Sequence, residues 1–231
     1  MPQTWMITGA SRGIGLALTM ELLRRGDHVV AAARNPWGAA LGELAAAHPA
    51  ALMPLELDVT SDESVAAAKG ALDGRPIDVL VNNAGIHGPR GTESALAMDF
   101  DVWREVFEVN VYGPLRVSQA LLANVEAGSG RKIATITSRM GSIGLNPSGS
   151  LAYRSSKAAV NMTMVVFGNA VRERGVAQLL FHPGWVRTDM GGGGADIAPS
   201  ESAAGLIATI DASGLAQTNS FRTWQGEPIP W

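Results

Sequence analysis

The sequence predicts an α/β fold: a single-domain, doubly wound parallel sheet of about seven strands with helices on both faces. Two observations carry this. Short β-branched apolar runs alternate with Ala/Leu-rich amphipathic segments from end to end, and the runs are near-continuously apolar, as strands buried on both faces must be. A third is that no internal repeat and no Pro/Ser-rich linker divides the chain, so one domain is expected to span residues 1–231.

The first strand, residues 4–8, runs directly into Thr8-Gly9-Ala10-Ser11-Arg12-Gly13-Ile14-Gly15, which opens a helix over 14–25. Glycines there let backbone N–H groups approach a pyrophosphate, and the helix N-terminus supplies partial positive charge for it. Gly9, Ser11, Arg12, Gly13, Ile14 and Gly15 are therefore the candidate cradle, although a tight strand-to-helix turn would use the same residues. Gly26 punctuates the helix end, a place that favours left-handed backbone. The second strand, 28–33, leads to Arg34 where an NAD-binding chain carries a carboxylate for the ribose 2′-hydroxyl. A guanidinium accepts a 2′-phosphate instead, and Arg12 adds a second cation. NADP(H) is thus preferred, with NAD(H) as the second choice; two solvated surface arginines are the alternative.

A helix over 38–47, a strand over 51–57, a helix over 62–72 and a strand over 77–81 continue the alternation. Asn82-Asn83-Ala84-Gly85 ends that fourth strand. The helix expected over 101–125 carries Asn110, a polar amide in apolar surroundings that needs a partner. Pro114 lies four residues on and removes the hydrogen bond to the carbonyl of residue 110, so a kink is the other reading. Gly128 and Gly175 are read, like Gly26, as left-handed helix ends.

The fifth strand, 132–137, delivers Ser138 to the crevice beyond the strand C-termini, the common ligand site of open parallel sheets. A hydroxyl there polarises a carbonyl, although serine also forms turns and caps. On the next helix, 151–174, Tyr153 and Lys157 stand four apart on one face. A nearby ammonium favours the phenolate and lowers the phenol's pKa toward a range useful for proton transfer; the same pair also arises by chance. A strand over 176–181, the four glycines 191–194, a helix over 200–210 and a short strand near Phe221 complete the chain. The glycines mark a mobile loop or a surface turn. Met140, Ile143, Trp185 and Met190 flank the crevice and, unless they are core, predict an apolar or aromatic aldehyde, ketone or quinone. His87 and His182 read as structural histidines.

Composition narrows the function. With 46% hydrophobic and 17% charged residues and a net charge of −3, the chain has material for a core and no basic surplus for nucleic acid. The absence of cysteine removes disulfides, thiolate nucleophiles and iron–sulfur clusters, and four scattered histidines predict no metal site. No basic stretch precedes an apolar one at the N-terminus, and no segment approaches the roughly 18 apolar residues of a membrane span. A cytoplasmic protein without a membrane partner is expected.

Taken together, Thr8-Gly9, Gly13, Gly15, Asp58-Val59, Asn82-Asn83-Ala84-Gly85, Asn110, Ser138, Tyr153 with Lys157, and Pro183-Gly184 with Val186 and Thr188 resemble the short-chain dehydrogenase/reductase family, in order and over nearly the whole chain. Within it, Ser138-Arg139-Met140-Gly141-Ser142-Ile143, His182-Pro183-Gly184-Trp185 and Gly226-Glu227-Pro228-Ile229-Pro230-Trp231 are similar to the C-factor and Sniffer-type carbonyl reductase branch. The resemblance implies one Rossmann-like domain in which Asp58 bonds the adenine amino group, Val59 flanks its ring, and Asn82, Ala84 and Gly85 line the adenosine ribose. The family's catalytic tetrad falls on Asn110, Ser138, Tyr153 and Lys157, with Lys157 also bonding the nicotinamide ribose and Asn110 holding a water in a proton relay. Pro183, Gly184, Val186 and Thr188 would contact the carboxamide. The implied activity is hydride transfer between nicotinamide and a small-molecule carbonyl or alcohol. The alternative is a C-factor-type signalling protein in which nucleotide occupancy matters more than turnover. A homodimer through the helices at 101–125 and 151–174 is expected as well. Two departures stand out: Tyr153 follows Ser138 by 15 residues, longer than is usual in the family, and the expected mobile substrate loop, 189–199, is short and glycine-rich.

Overall fold

The structure is a computed structural model and describes residues 1–89, 91–145 and 148–231. Its main sheet contains β1 (Thr4–Thr8), β2 (His28–Ala33), β3 (Leu52–Glu56), β4 (Val79–Asn82), β7 (Lys132–Ile136), β8 (Ala177–His182) and β9 (Phe221–Thr223), all parallel, in the order β3-β2-β1-β4-β7-β8-β9. The chain winds outward from β1 in one direction and from β4 in the other. The crevice between those two strands is the topological switch point, where such sheets take ligands.

Side-chain alternation in β1 assigns the two faces. Trp5 and Ile7 point to one layer, where Leu18 and Leu22 of α1 (Gly13–Arg25), Leu41 of α2 (Ala39–Ala47) and Leu206 and Ile210 of α8 (Pro199–Asp211) bury them. Met6 points to the other. There it joins Val65 and Leu72 of α3 (Asp62–Leu72), Val117 of α5 (Gly113–Ala120), and Val160 and Met164 of α7 (Leu151–Arg172). Burying such side chains contributes roughly 1.5–3 kcal/mol each and fixes the strand ends that carry the site.

The edges of the sheet differ from its centre. β3 carries Pro54, which cannot donate to a ladder, and β9 is bridged on its outer side by Pro228 opposite Arg222.

Three expectations are corrected. The helix foreseen over 101–125 is four pieces: α4 (Phe100–Phe107), a π-helical turn (Glu108–Tyr112), α5, and α6 (Leu122–Ala127). In the π turn the Gly113 N–H bonds the Glu108 carbonyl, five residues back. Pro114, with no N–H to return to Asn110, makes the wider turn the local solution. Gly26 and Gly175 do have positive φ, but Gly128 ends α6 in extended backbone. It is glycine because a Cβ there would lie 2.2 Å from the Ile77 carbonyl oxygen. Finally, a short antiparallel ribbon, β5 (Glu93–Ser94) with β6 (Ala97–Met98), lies between β4 and α4, where no strand was expected.

Candidate active site

Backbone crowding shapes the glycine turn. Gly9 (φ +67°) and Gly13 (φ +54°) occupy left-handed backbone, and a Cβ on Gly15 would sit 2.3 Å from the Gly9 carbonyl oxygen and 2.6 Å from Asn83 Nδ2. The turn is buttressed from β4. Thr8 Oγ1 accepts the N–H groups of Asn83 and Ala84, each at 3.0 Å, and Asn83 Nδ2 donates to the carbonyls of Thr8 and Gly9. Thr8 and Asn83, which sequence reasoning left out of the site, are thus what holds it in shape. Arg12 reaches across to Asp189 at 3.0 Å, and both side chains are largely exposed.

A cleft of about 2280 Å³ opens along the carboxyl ends of the strands. That is more than twice the volume of an ordinary small-molecule site of roughly 300–1,000 Å³, enough for a dinucleotide and a second ligand. Its walls include Gly9, Ser11, Arg12, Gly13, Ile14, Arg34, Asp58, Val59, Ala84, Gly85, Ser138, Met140, Tyr153, Lys157, Pro183, Gly184, Trp185, Val186, Thr188 and Met190. Asp58 accepts the Thr60 N–H and hydroxyl, and these bonds, with Arg34 and Arg116 nearby, hold its carboxyl below the usual range. The residues fit a dinucleotide: the Cβ-free cradle lies at one end and the guanidiniums of Arg12 and Arg34 beside it.

Four expected members are not on the cleft wall: Gly15 and Asn110 are buried, and Asn82 and Ile143 stand elsewhere. Asn82 is buried and donates to Ser118, so it does not line the cleft. Ile143 is 74% exposed and also lies outside the cleft wall, because the chain turns away after the 3₁₀ turn Arg139–Gly141. The segment 189–199 is tethered at both ends, by the Arg187–Ile197 and Ile197–Trp185 backbone bonds and by Arg187 Nη1 on the carbonyls of Ala195 and Asp196.

The chemistry-bearing side chains converge on the wall made by β7 and α7. Ser138 Oγ accepts the Met140 N–H at 3.1 Å. Lys157 Nζ donates to the Ile136 carbonyl at 3.1 Å and lies 5.6 Å from the centre of the Tyr153 ring. Asn110, delivered inward by the π turn, clasps the backbone of Ile86 with both its Oδ1 and Nδ2, each at 2.8 Å, and reaches Ser156 Oγ at 3.0 Å. It sits behind Gly85, where a Cβ would meet Asn110 Oδ1 at 3.2 Å and Lys157 Nζ at 3.5 Å.

Charge in this wall departs from the spacing argument. Burial pushes the Tyr153 phenol up to about 12, with Ser138 hydrogen bonding pulling it down and the Glu93 carboxylate pushing it further up. Burial likewise brings Lys157 down to about 8. The expected acidification of Tyr153 by Lys157 is not found: desolvation dominates, and what lowers the phenol is Ser138.

His87 has partners at both ring nitrogens, as a structural histidine does, and its ring also stacks on Tyr153 with centroids 4.9 Å apart. His182 also keeps to the structural expectation, brought down to about 4 by burial and by Arg139. The buried Glu93 accepts the N–H of Tyr153, a contact that no sequence signal announced. Among the described residues, no group of three or more His, Asp or Glu could hold a metal ion, and no helix is long and apolar enough to cross a membrane.

A parallel sheet with a glycine cradle at its switch point and a Ser/Tyr/Lys wall beside it defines a nucleotide-binding oxidoreductase domain. The chain belongs to the short chain dehydrogenase family, whose model matches residues 3–195. It is 40% identical to C-signal of Myxococcus xanthus over 158 residues, 68% of this chain and 93% of that one. It superimposes with a TM-score of 0.91 and 31% identity on NADPH-bound carbonyl reductase from chicken fatty liver, covering 100% of this chain and 99% of that one. For the carbonyl reductase Sniffer of D. melanogaster the TM-score is 0.90 and the identity 30%, over 100% of both chains. These similarities place the chain in the C-factor and Sniffer-type branch.

Proposed function

We propose that the protein is an NADP(H)-dependent carbonyl reductase or alcohol dehydrogenase acting on an apolar or aromatic aldehyde, ketone or quinone. The observation that carries this is the convergence of Ser138, Tyr153 and Lys157 on one wall of a cleft whose other end is the glycine cradle. Gly9, Gly13 and Gly15 would admit the pyrophosphate, Arg12 and Arg34 the 2′-phosphate, Asp58 and Val59 the adenine, and Pro183, Gly184, Val186 and Thr188 the carboxamide. The bound dinucleotide supplies or takes up the hydride. Ser138 bonds the substrate oxygen, and Tyr153 gives that oxygen a proton in reduction and receives it in oxidation. Lys157 stabilises the phenolate left behind, and Asn110, fixed on Ile86, stands at the inner end of a proton relay. Burial keeps the phenol in the protonated form that donates when a carbonyl is reduced. Met140, Trp185 and Met190 would line the substrate end.

Initial rates of NADPH and NADH oxidation with aliphatic aldehydes, aryl ketones and quinones test this, with Tyr153→Phe alongside. Turnover favouring NADPH and lost in the variant is expected; full activity in Tyr153→Phe overturns the mechanism. The similarity to C-signal favours one second reading, a signalling role that needs nucleotide occupancy alone. It requires that Tyr153→Phe keep the signal while Gly13→Val, which blocks the cradle, abolishes it.

The protein is further proposed to be a cytoplasmic homodimer. Met162 and Val166, four apart on α7, are 66% and 61% exposed, an apolar face of the kind a two-fold interface covers.

A further inference from the structure

Glu93 is a carboxylate only 7% exposed, on a ribbon none of whose residues lines the cleft. Each oxygen has a task. Oε1 accepts the Gly88 N–H at 2.7 Å, and Oε2 accepts the Tyr153 N–H at 3.0 Å. Gly88 has to be glycine for this, since a Cβ there would stand 2.5 Å from Oε1. Tyr153 occupies the third position of α7, in the first turn, where backbone N–H groups have no partner within the helix. Ser150, just before the helix, adopts left-handed backbone and makes no side-chain cap. Glu93 therefore caps α7 from a different segment, and a negative charge at that end is favoured by the helix dipole.

The same carboxylate holds His87. Nδ1 lies 3.1 Å from Glu93 Oε1 and 2.8 Å from the Gly88 carbonyl oxygen. Both are acceptors, so Nδ1 carries a proton, and Nε2 faces Ser150 Oγ at 3.3 Å. Fixed at both nitrogens, the imidazole lies against the Tyr153 ring at an interplanar angle of 28°.

We propose that Glu93 is a positioning residue for Tyr153, aligning its backbone directly and its ring through His87. One carboxylate thus sets where the phenol begins and which way it faces. A misplacement of about 1 Å at a reacting group costs roughly 100-fold in rate. This inference rests on Tyr153 as the proton donor.

The chain contains two tyrosines, so 3-fluorotyrosine in a Tyr112→Phe background gives one ¹⁹F resonance, from Tyr153. Glu93→Gln, which can accept only one of the two N–H groups, and His87→Ala are expected to move that resonance toward the free amino acid, while His87→Phe keeps it near the parent value. In turnover, Glu93→Gln and His87→Ala are expected to lower kcat about 10-fold or more, with KM and nucleotide Kd within about 2-fold, and His87→Phe to restore most of kcat. An unmoved resonance, or a parent-level kcat in Glu93→Gln well below its unfolding temperature, overturns the proposal. Should Glu93→Gln fail to fold, the His87→Ala and His87→Phe pair decides it on the same two readouts. Full activity in Tyr153→Phe overturns the functional reading itself, whereas an inactive Tyr153→Phe beside unaffected Glu93→Gln and His87→Ala overturns this inference alone.

Discussion

Arg12 and Asp189 meet across the mouth of the nucleotide cleft, Nη1 to Oδ2 at 3.0 Å, joining the glycine turn to the segment after β8. Their side chains are 70% and 80% exposed, so the pair contributes at most about 1 kcal/mol. In the proposed function Arg12 exchanges this carboxylate for the 2′-phosphate of NADP(H). Asp189→Asn is therefore expected to tighten NADPH binding by up to about 5-fold at low salt, with a smaller gain at high salt, as read by fluorescence titration.

Arg34 is the second proposed phosphate ligand, at the end of β2 in the position where a carboxylate would select NAD. Arg34→Asp is expected to lower kcat/KM for NADPH at least about 10-fold and to raise the NADH to NADPH ratio. Initial rates with both cofactors check it, and an unchanged ratio would return Arg34 to the solvated surface.

Glycines in this chain differ in what a methyl group would do. Gly15→Ala forces a Cβ against the Gly9 carbonyl and Asn83, so nucleotide binding should fall at least about 10-fold and Tm should drop. Gly70→Ala, inside α3 with open space around it, should instead stabilise the protein by roughly 0.5–1 kcal/mol. Nucleotide titration and thermal melts of the two variants provide the contrast.

Lys157 gives the nucleotide-free protein an alkaline signature. At neutral pH both folded and unfolded chains carry the ammonium, and the folded state bears the cost of burying it. As pH rises through about 8 the folded state releases the proton, while the unfolded chain holds it to 10.5, so stability increases across that window. Tyr153, raised to about 12, acts oppositely, but only above its ordinary value of 10.0. Urea denaturation is expected to show a gain of about 2 kcal/mol between pH of about 7 and 9.5. Lys132, also lowered by burial, adds a rise of its own that survives in Lys157→Met, where the Lys157 contribution should vanish.

The apolar face of α7 makes a prediction about assembly. Val166→Glu should yield a monomer by light scattering at micromolar concentration while leaving the fold intact, because the side chain is 61% exposed within the protomer. A parent protein that is already monomeric would sink the dimer proposal.

The fold was legible because strands buried on both faces read as apolar runs, and β1, β2, β4, β7 and β8 fall within two residues of where those runs place them. The break at Asn110 was half visible. Pro114 announced a disturbance, but whether the helix would kink or widen depended on Ile86 and Ser156, both distant in sequence. Glu93 was invisible for the same reason, since its partners are Gly88, His87 and Tyr153 and no local pattern joins them. Ile143 misled because nearness to Ser138 along the chain is not nearness to the cleft after a 3₁₀ turn. The phenol's pKa also went astray, because spacing locates an ammonium but does not measure how much water surrounds it.

Pro54 in β3 and Pro228 beside β9 bear on how the molecule forms. A parallel sheet assembles slowly, because each neighbouring strand arrives only after a helical crossover, and half-built sheets expose long apolar strands to other chains. Here the outermost strands carry a residue that cannot extend the ladder on one side and a bridged three-residue strand on the other. Strand addition from a second molecule is disfavoured at both flanks once the sheet is complete, which makes the sheet a poor template for aggregation.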